Sequence, residues 1–135
     1  MKKLFLDSDI MLDFGLRRVP FYLPALNLVE LCHEARIHGV ASSNAFINTY
    51  YFLRKFAPDV AMDSLKKLRN TISIVEVNEK IIDLALNSNF SDFEDAVQYY
   101  TAISANADVI ITRNIKDYKQ STIPVLTAEQ FLRTL

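Results

Sequence analysis

A chain of 135 residues and 15.5 kDa, half of it hydrophobic, is long enough for one domain with a real core and too apolar to be disordered. A formal charge of −1 and a pI near 6.1 exclude a general attraction to nucleic acid or anionic membrane. Any nucleic-acid contact has to come from local patches: Arg17-Arg18, Arg54-Lys55, Lys66-Lys67-Arg69, and Arg113 with Lys116 and Lys119. No apolar run approaches the ~18 residues of a membrane span. Asp7 and Asp9 break the stretch that a signal peptide would need, so no membrane association and a cytoplasmic location are expected. The lone Cys32 allows no internal disulfide and reads as a small buried hydrophobe in a helix.

The first predicted strand, Lys3 to Leu6, runs into FLDSDIMLDF at residues 5 to 14. Three aspartates interrupt an otherwise buried run there, and buried carboxylates are costly unless something compensates them. Asp9 and Asp13 fall on one face if the chain turns helical, with a plain surface position the other reading of Asp13. Helical spacing follows over Phe21 to His38, then a strand at Gly39 to Ala41 leading to Ser42-Ser43. Helices are predicted over Ser43 to Phe56 and Pro58 to Asn70, a strand over Ile72 to Val77, and helices over Asn78 to Asn87 and Ser91 to Ala105. The last elements are strands at Asp108 to Ile111 and Ile123 to Leu126 and a helix at Ala128 to Thr134. Such alternation means one α/β domain over residues 1–135 with a mainly parallel sheet. There is neither GxGxxG nor GxxxxGK[ST], so dinucleotide and P-loop folds lack support. In open parallel sheets ligands bind beyond the carboxyl ends of the strands, and an order 3-2-1-4-5 makes Asp7 and Asn114 neighbours at that edge.

The segment NFSDFEDAVQYYTAISA opens a helix in which Ser91 as N-cap and Glu94 form a capping box, a structural explanation for Glu94. At 100° per residue the polar stripe is Glu94, Gln98 and Thr101, whereas Asp92 and Asp95 share the apolar arc and are expected to face the protein. Favouring the positive end of the helix is the alternative role for both. Inward carboxylates from the first strand and from this helix repel one another, and a divalent cation such as Mg²⁺ resolves the conflict. His33 and His38 have no metal-ligand spacing and are assigned no role.

These segments together resemble the PIN domain, a metal-dependent nuclease fold that includes VapC-type toxins. LFLDSDIMLDF resembles the family's opening strand, its first acidic residue falling on Asp7, with Asp9 where many members carry asparagine. SDFEDAVQYYTAISANADVIITRNIKDY is similar to the second half, where a helix-opening Asp-Ala, here Asp95-Ala96, leads to a strand ending in Thr-Arg-Asn. Two positions depart from the pattern: Asn48 aligns with a common glutamate, and Asn114, with Asp117 three residues on, stands at the fourth acidic position. Asparagine ligates a hard cation without charge, so a weaker site is expected unless Asp9, Asp92 or Asp117 restores it. By periodicity Asn48 shares a stripe with Asn44, Tyr51 and Lys55, which leaves a surface reading and a ligand reading open.

The resemblance implies a three-layer αβα sandwich with a five-stranded sheet, Mg²⁺ or Mn²⁺ in an acidic pocket, and an endoribonuclease acting on RNA. It implies Asp7 and Asp95 as metal residues, with Asn114 or Asp117 completing the site, and a metal-activated water as attacking group. Thr112 and Arg113 are expected to orient the phosphate, and Lys55 with the basic residues of 113–119 to track the backbone. Asp7→Asn is expected to abolish cleavage without unfolding the chain. An antitoxin protein and a second copy of the chain are the implied partners. Two other enzyme classes fit less well. LDSDI is also the DxD of haloacid-dehalogenase-type phosphatases, with Asp7 as nucleophile and Asp9 as general acid, but Ile10-Met11-Leu12 replaces the small or hydroxylated residue usual there. A receiver domain lacks its acceptor aspartate after ISIVEV. The non-enzymatic alternative, motivated by Asn48 and Asn114, is a catalytically weakened PIN-like module that binds RNA or protein.

Overall fold

Leu4, Phe5 and Leu6 in β1 (Lys3–Leu6) are completely buried, as a central strand covered on both faces requires. The computed structural model describes residues 1–135 and pairs β1 in parallel with β2 (His38–Ser42) on one side and β4 (Val109–Ile111) on the other. β3 (Ser73–Val75) and β5 (Val125–Leu126) are the outer strands, so the parallel sheet has the expected order β3-β2-β1-β4-β5. Alternation along β1 sends Leu4 and Leu6 to one face, against Ile10, Met11, Leu28, Leu68 and Phe131, and Phe5 to the other, against Tyr99, Ala102 and Tyr118. Each of the buried Leu, Ile, Met and Phe side chains contributes roughly 1.5–3 kcal/mol.

α1 (Ser8–Leu16), α2 (Tyr22–His33), α3 (Ser43–Phe56), α4 (Ala61–Thr71) and α7 (Ala128–Leu132) supply the first layer; α5 (Glu79–Leu86) and α6 (Phe93–Ser104) supply the second. No helix is long and apolar enough to cross a membrane. A 3₁₀ turn at Ile115–Tyr118 follows β4.

Two helices differ from the sequence expectation. Residues 8–16, where a turn to helix was considered without a range, form α1, started by the Asp7 carboxylate accepting from the Ser8 amide and ended by Arg17 at φ 52°. α2 stops at His33 rather than His38, because Ala35 adopts φ 57° and the Ala35 and Arg36 amides turn back to the Cys32 and Leu31 carbonyls. The closing residue is alanine, so the glycine that usually marks a helix end is missing. The turn lets β2 run beneath α2, where a Cβ on Gly39 would come within 2.6 Å of the buried Cys32 Sγ.

Candidate active site

Asp7 leaves β1 at the carboxyl edge of the sheet, 9% exposed. Its Oδ1 accepts from the Ser8 amide at 2.8 Å and Gln98 Nε2 at 3.0 Å; its Oδ2 accepts from the Thr112 hydroxyl at 2.9 Å and the Tyr118 hydroxyl at 3.0 Å. Four donors therefore compensate this carboxylate. Burial, with Asp7 beside it, raises the Tyr118 phenol pKa and keeps the hydroxyl a donor.

Asp9 and Asp13 are compensated differently. Asp9 Oδ2 accepts from the Arg113 amide at 3.0 Å and from the Thr112 hydroxyl and Asn114 Nδ2 at 3.2 Å each, while its Oδ1 is buried without a partner. Burial, then the neighbouring Asp7, pushes the Asp9 carboxyl up to about 6. Asp13, for which a surface position was one reading, is 1% exposed and lies between two arginines. Arg18 Nε donates to Oδ1 at 2.8 Å; Arg113 Nε stands 2.9 Å from Oδ2, an ion pair by distance without hydrogen-bond alignment. Burial nonetheless outweighs both cations and raises the Asp13 pKa.

α6 forms the opposite wall, and its first turn departs from the expected capping box. The N-cap is Asp92, whose Oδ1 accepts from the Asp95 amide at 3.0 Å, not Ser91. Asp92 is therefore exposed and spent on the cap rather than facing the protein. Two residues of the polar stripe, Gln98 and Thr101, are turned inward instead. Gln98 is buried and links Asp7 to the Ser42 hydroxyl, 2.5 Å from its Oε1, and buried Thr101 bonds back to the Val97 carbonyl. The physical reason is that α6 meets apolar neighbours on α5 and the polar strand ends on its other side, so both faces are covered.

Glu94, freed from any capping role, accepts from Asn48 Nδ2 at 3.1 Å, bridging α6 and α3. Asn48 therefore lines the pocket, as its ligand reading supposed, whereas Tyr51 and Lys55 of the same stripe are exposed farther along α3. The pocket is about 50 Å³, lined by Asp7, Ser8, Asn44, Ala45, Asn48, Glu94, Asp95 and Gln98, with no basic side chain among them. Asp95 is half-buried, and its carboxylate receives no hydrogen bond or ion pair from the protein. Burial, then Asp92, Asp117, Asp7 and Glu94, pushes its pKa up to about 7.

The loop after β4 carries the remaining expected residues. Thr112 is fully buried, shares its proton between Asp7 and Asp9, and accepts from the Asn114 amide at 3.1 Å. Its hydroxyl is spent on the two carboxylates and is shut off from solvent. Arg113 does not face the pocket: its guanidinium lies 4.0 Å over the Phe21 ring and pairs with Asp13, because a buried carboxylate needs a cation more than open solvent does. Asn114 and Asp117 are exposed and do not line the pocket; Asn114 is held by Asp9, and Asp117 is close enough to raise Asp95. Lys55 stands over Phe56, seven residues or ~10 Å along α3 from Asn48. No three acidic or histidine side chains converge tightly enough to chelate an ion by themselves. The residues that sequence reasoning missed are Glu94, Gln98 and Tyr118. Polar side chains on the inward face of α6 were the available signal for Gln98.

Residues 3–116 match the family model described as the PIN domain. The chain is 26% identical over 136 residues to Ribonuclease VapC1 of Aquifex aeolicus (strain VF5), covering 96% of this chain and 93% of that protein. Its fold is similar to a toxin–antitoxin complex from Klebsiella pneumoniae, at TM-score 0.68 and 20% identity over 93% of this chain and 97% of that one. It is also similar to VapBC2 from Rickettsia felis bound to a DNA fragment from their promoter, at TM-score 0.66 and 18% identity over 92% and 96%.

Proposed function

The chain belongs to the PIN domain family, and from that premise we propose that it is an endoribonuclease dependent on Mg²⁺ or Mn²⁺, the toxin of a toxin–antitoxin pair of the VapC kind. The observation that carries this reading is Asp95: a half-buried carboxylate with no protein donor, among Asp92, Asp117, Asp7 and Glu94, in a pocket without a basic side chain. The donor set, all carboxylate and amide oxygen, fits a hard divalent cation. Mg²⁺ is typically held by one or two carboxylates plus waters, which agrees with the lack of a tight three-carboxylate cluster.

Asp95 and Asp7 would hold the ion, with Asn114 and Asp117 completing the site through water. Bound there, the ion supplies acidification of a water and charge stabilisation for the phosphodiester. Asp7 is held rigid by its four donors, and direct ligation through Oδ1 would displace one of the two that line the pocket, the Ser8 amide or Gln98 Nε2. Asp9 holds the 112–114 loop in place, so Asn114 is kept at a fixed position. Exposed Lys116, Lys119 and Lys55 track the RNA backbone.

The proposed partners are an antitoxin protein and a second copy of the chain. α3 and α4 leave Ile47, Tyr51, Phe52, Phe56 and Met62 exposed, an apolar face of the kind that marks an interface. Cleavage of a labelled RNA panel in Mg²⁺ or Mn²⁺ against EDTA tests the activity. The expected result is metal-dependent cutting that falls at least ~100-fold in Asp95→Asn, the order of loss for one preorganised electrostatic group. Equal cutting by wild type and Asp95→Asn would remove the proposed site, and RNA binding without cutting would favour a binding module.

A further inference from the structure

The α3 wall of the acidic pocket is neutral: it consists of Asn44, Ala45 and Asn48, while every carboxylate in the lining comes from the end of β1 or from α6. One carboxylate nevertheless reaches α3. Glu94 lies in the first turn of α6, is exposed, and is held across the pocket by the Asn48 amide at 3.1 Å. An exposed glutamate normally samples many rotamers, and fixing one costs entropy, so this contact selects a position that the helix alone does not impose. It does not cap α6, because Asp92 performs that role.

We propose that Glu94, aimed by Asn48, supplies the negative charge that α3 lacks and thereby sets the divalent-cation affinity of the pocket, acting opposite Asp95. The inference rests on the reading of this pocket as a cation site. With no three carboxylates in chelating range, Glu94 acts by its charge and through the waters that fill the pocket. Asn48 is then a positioning residue, its Nδ2 proton committed to Glu94 Oε1. A purely structural role for Glu94, favouring the positive end of α6, would leave cation affinity unchanged when the charge is removed.

The test is calorimetric titration of the full chain with Mn²⁺, without RNA, comparing wild type, Glu94→Gln, Asn48→Ala, Asp95→Asn and the double variant Glu94→Gln/Asn48→Glu. Melting in EDTA confirms that each variant is folded. Glu94→Gln is expected to bind Mn²⁺ about tenfold more weakly, the scale of one unit charge acting on a divalent ion a few ångströms away near solvent. Asn48→Ala is expected to weaken binding by a smaller factor, and the double variant, which returns the carboxylate from the α3 side, to recover most of the loss. Unchanged affinity in Glu94→Gln together with a large loss in Asp95→Asn would overturn the role of Glu94 and leave the cation site standing. No loss in either variant would overturn both.

Discussion

Asp7 and Asp95 are both acidic residues of one pocket, yet their surroundings assign them opposite responses to neutralisation. Asp7 accepts four hydrogen bonds, so Asp7→Asn points an amide at groups that are already donors. The expected cost is about 1–3 kcal/mol, read as a lower Tm, so the variant is expected to stay folded but less stable than wild type. Asp95 has no donor to lose. Its folded pKa of about 7 lies above its ordinary 3.8, so the folded chain takes up a proton that the unfolded chain takes only at lower pH. Stability of the metal-free protein is therefore expected to rise as pH falls from about 8 to about 5, with Asp9, raised to about 6, adding in the same direction. Melting curves across that range check the sign, and Asp95→Asn should flatten the slope. The acidic residues themselves were legible in FLDSDIMLDF and SDFEDA. What compensates them was not, because Gln98, Thr112 and Tyr118 reach Asp7 from 91, 105 and 111 residues away and no local pattern encodes that pairing.

Helix ends show where element-scale reasoning succeeds and where it stops. α3 runs from Ser43 to Phe56 as its spacing predicts, capped by the Ser42 hydroxyl accepting from the Ala45 amide. In α6 two adjacent residues compete for the cap, and Asp92 wins over Ser91, a one-residue shift that converts Glu94 from a capping partner into a pocket residue. Asp92→Ala is expected to cost about 0.5–2 kcal/mol of stability through loss of that cap. α2 ends where sequence offers no glycine, at Ala35 with φ 57°. Left-handed backbone costs an L-residue roughly 1–2 kcal/mol. Ala35→Gly, which also loosens the unfolded chain, is expected to raise Tm by no more than a few degrees, and thermal unfolding of that variant checks it.

At the scale of the whole molecule, the order β3-β2-β1-β4-β5 brings the ends of β1 and β4 together, gathering Asp7, Asp9 and the 112–114 loop, while α6 folds Glu94 and Asp95 over them. Alternation and the rule for open parallel sheets pointed to that edge, and the family resemblance to the strand order, but Glu94 was read as a capping residue. The exposed apolar face was not legible, since nothing in the sequence sets Ile47 and Met62 apart from core positions. If a second copy covers that face, light scattering should give twice the mass of the chain for the wild type. Ile47→Glu with Met62→Glu should return the mass of one chain without loss of fold. The most direct measurement is the melting temperature of the metal-free protein at about pH 8, with and without Mn²⁺, for wild type and Asp95→Asn. Wild type should melt several degrees higher with Mn²⁺. Asp95→Asn should melt higher than wild type without metal, by on the order of 1 kcal/mol after allowing for solvent screening, and gain little from Mn²⁺. A wild-type melting point indifferent to Mn²⁺, with Asp95→Asn no more stable than wild type, would contradict the reading of this pocket as a cation site.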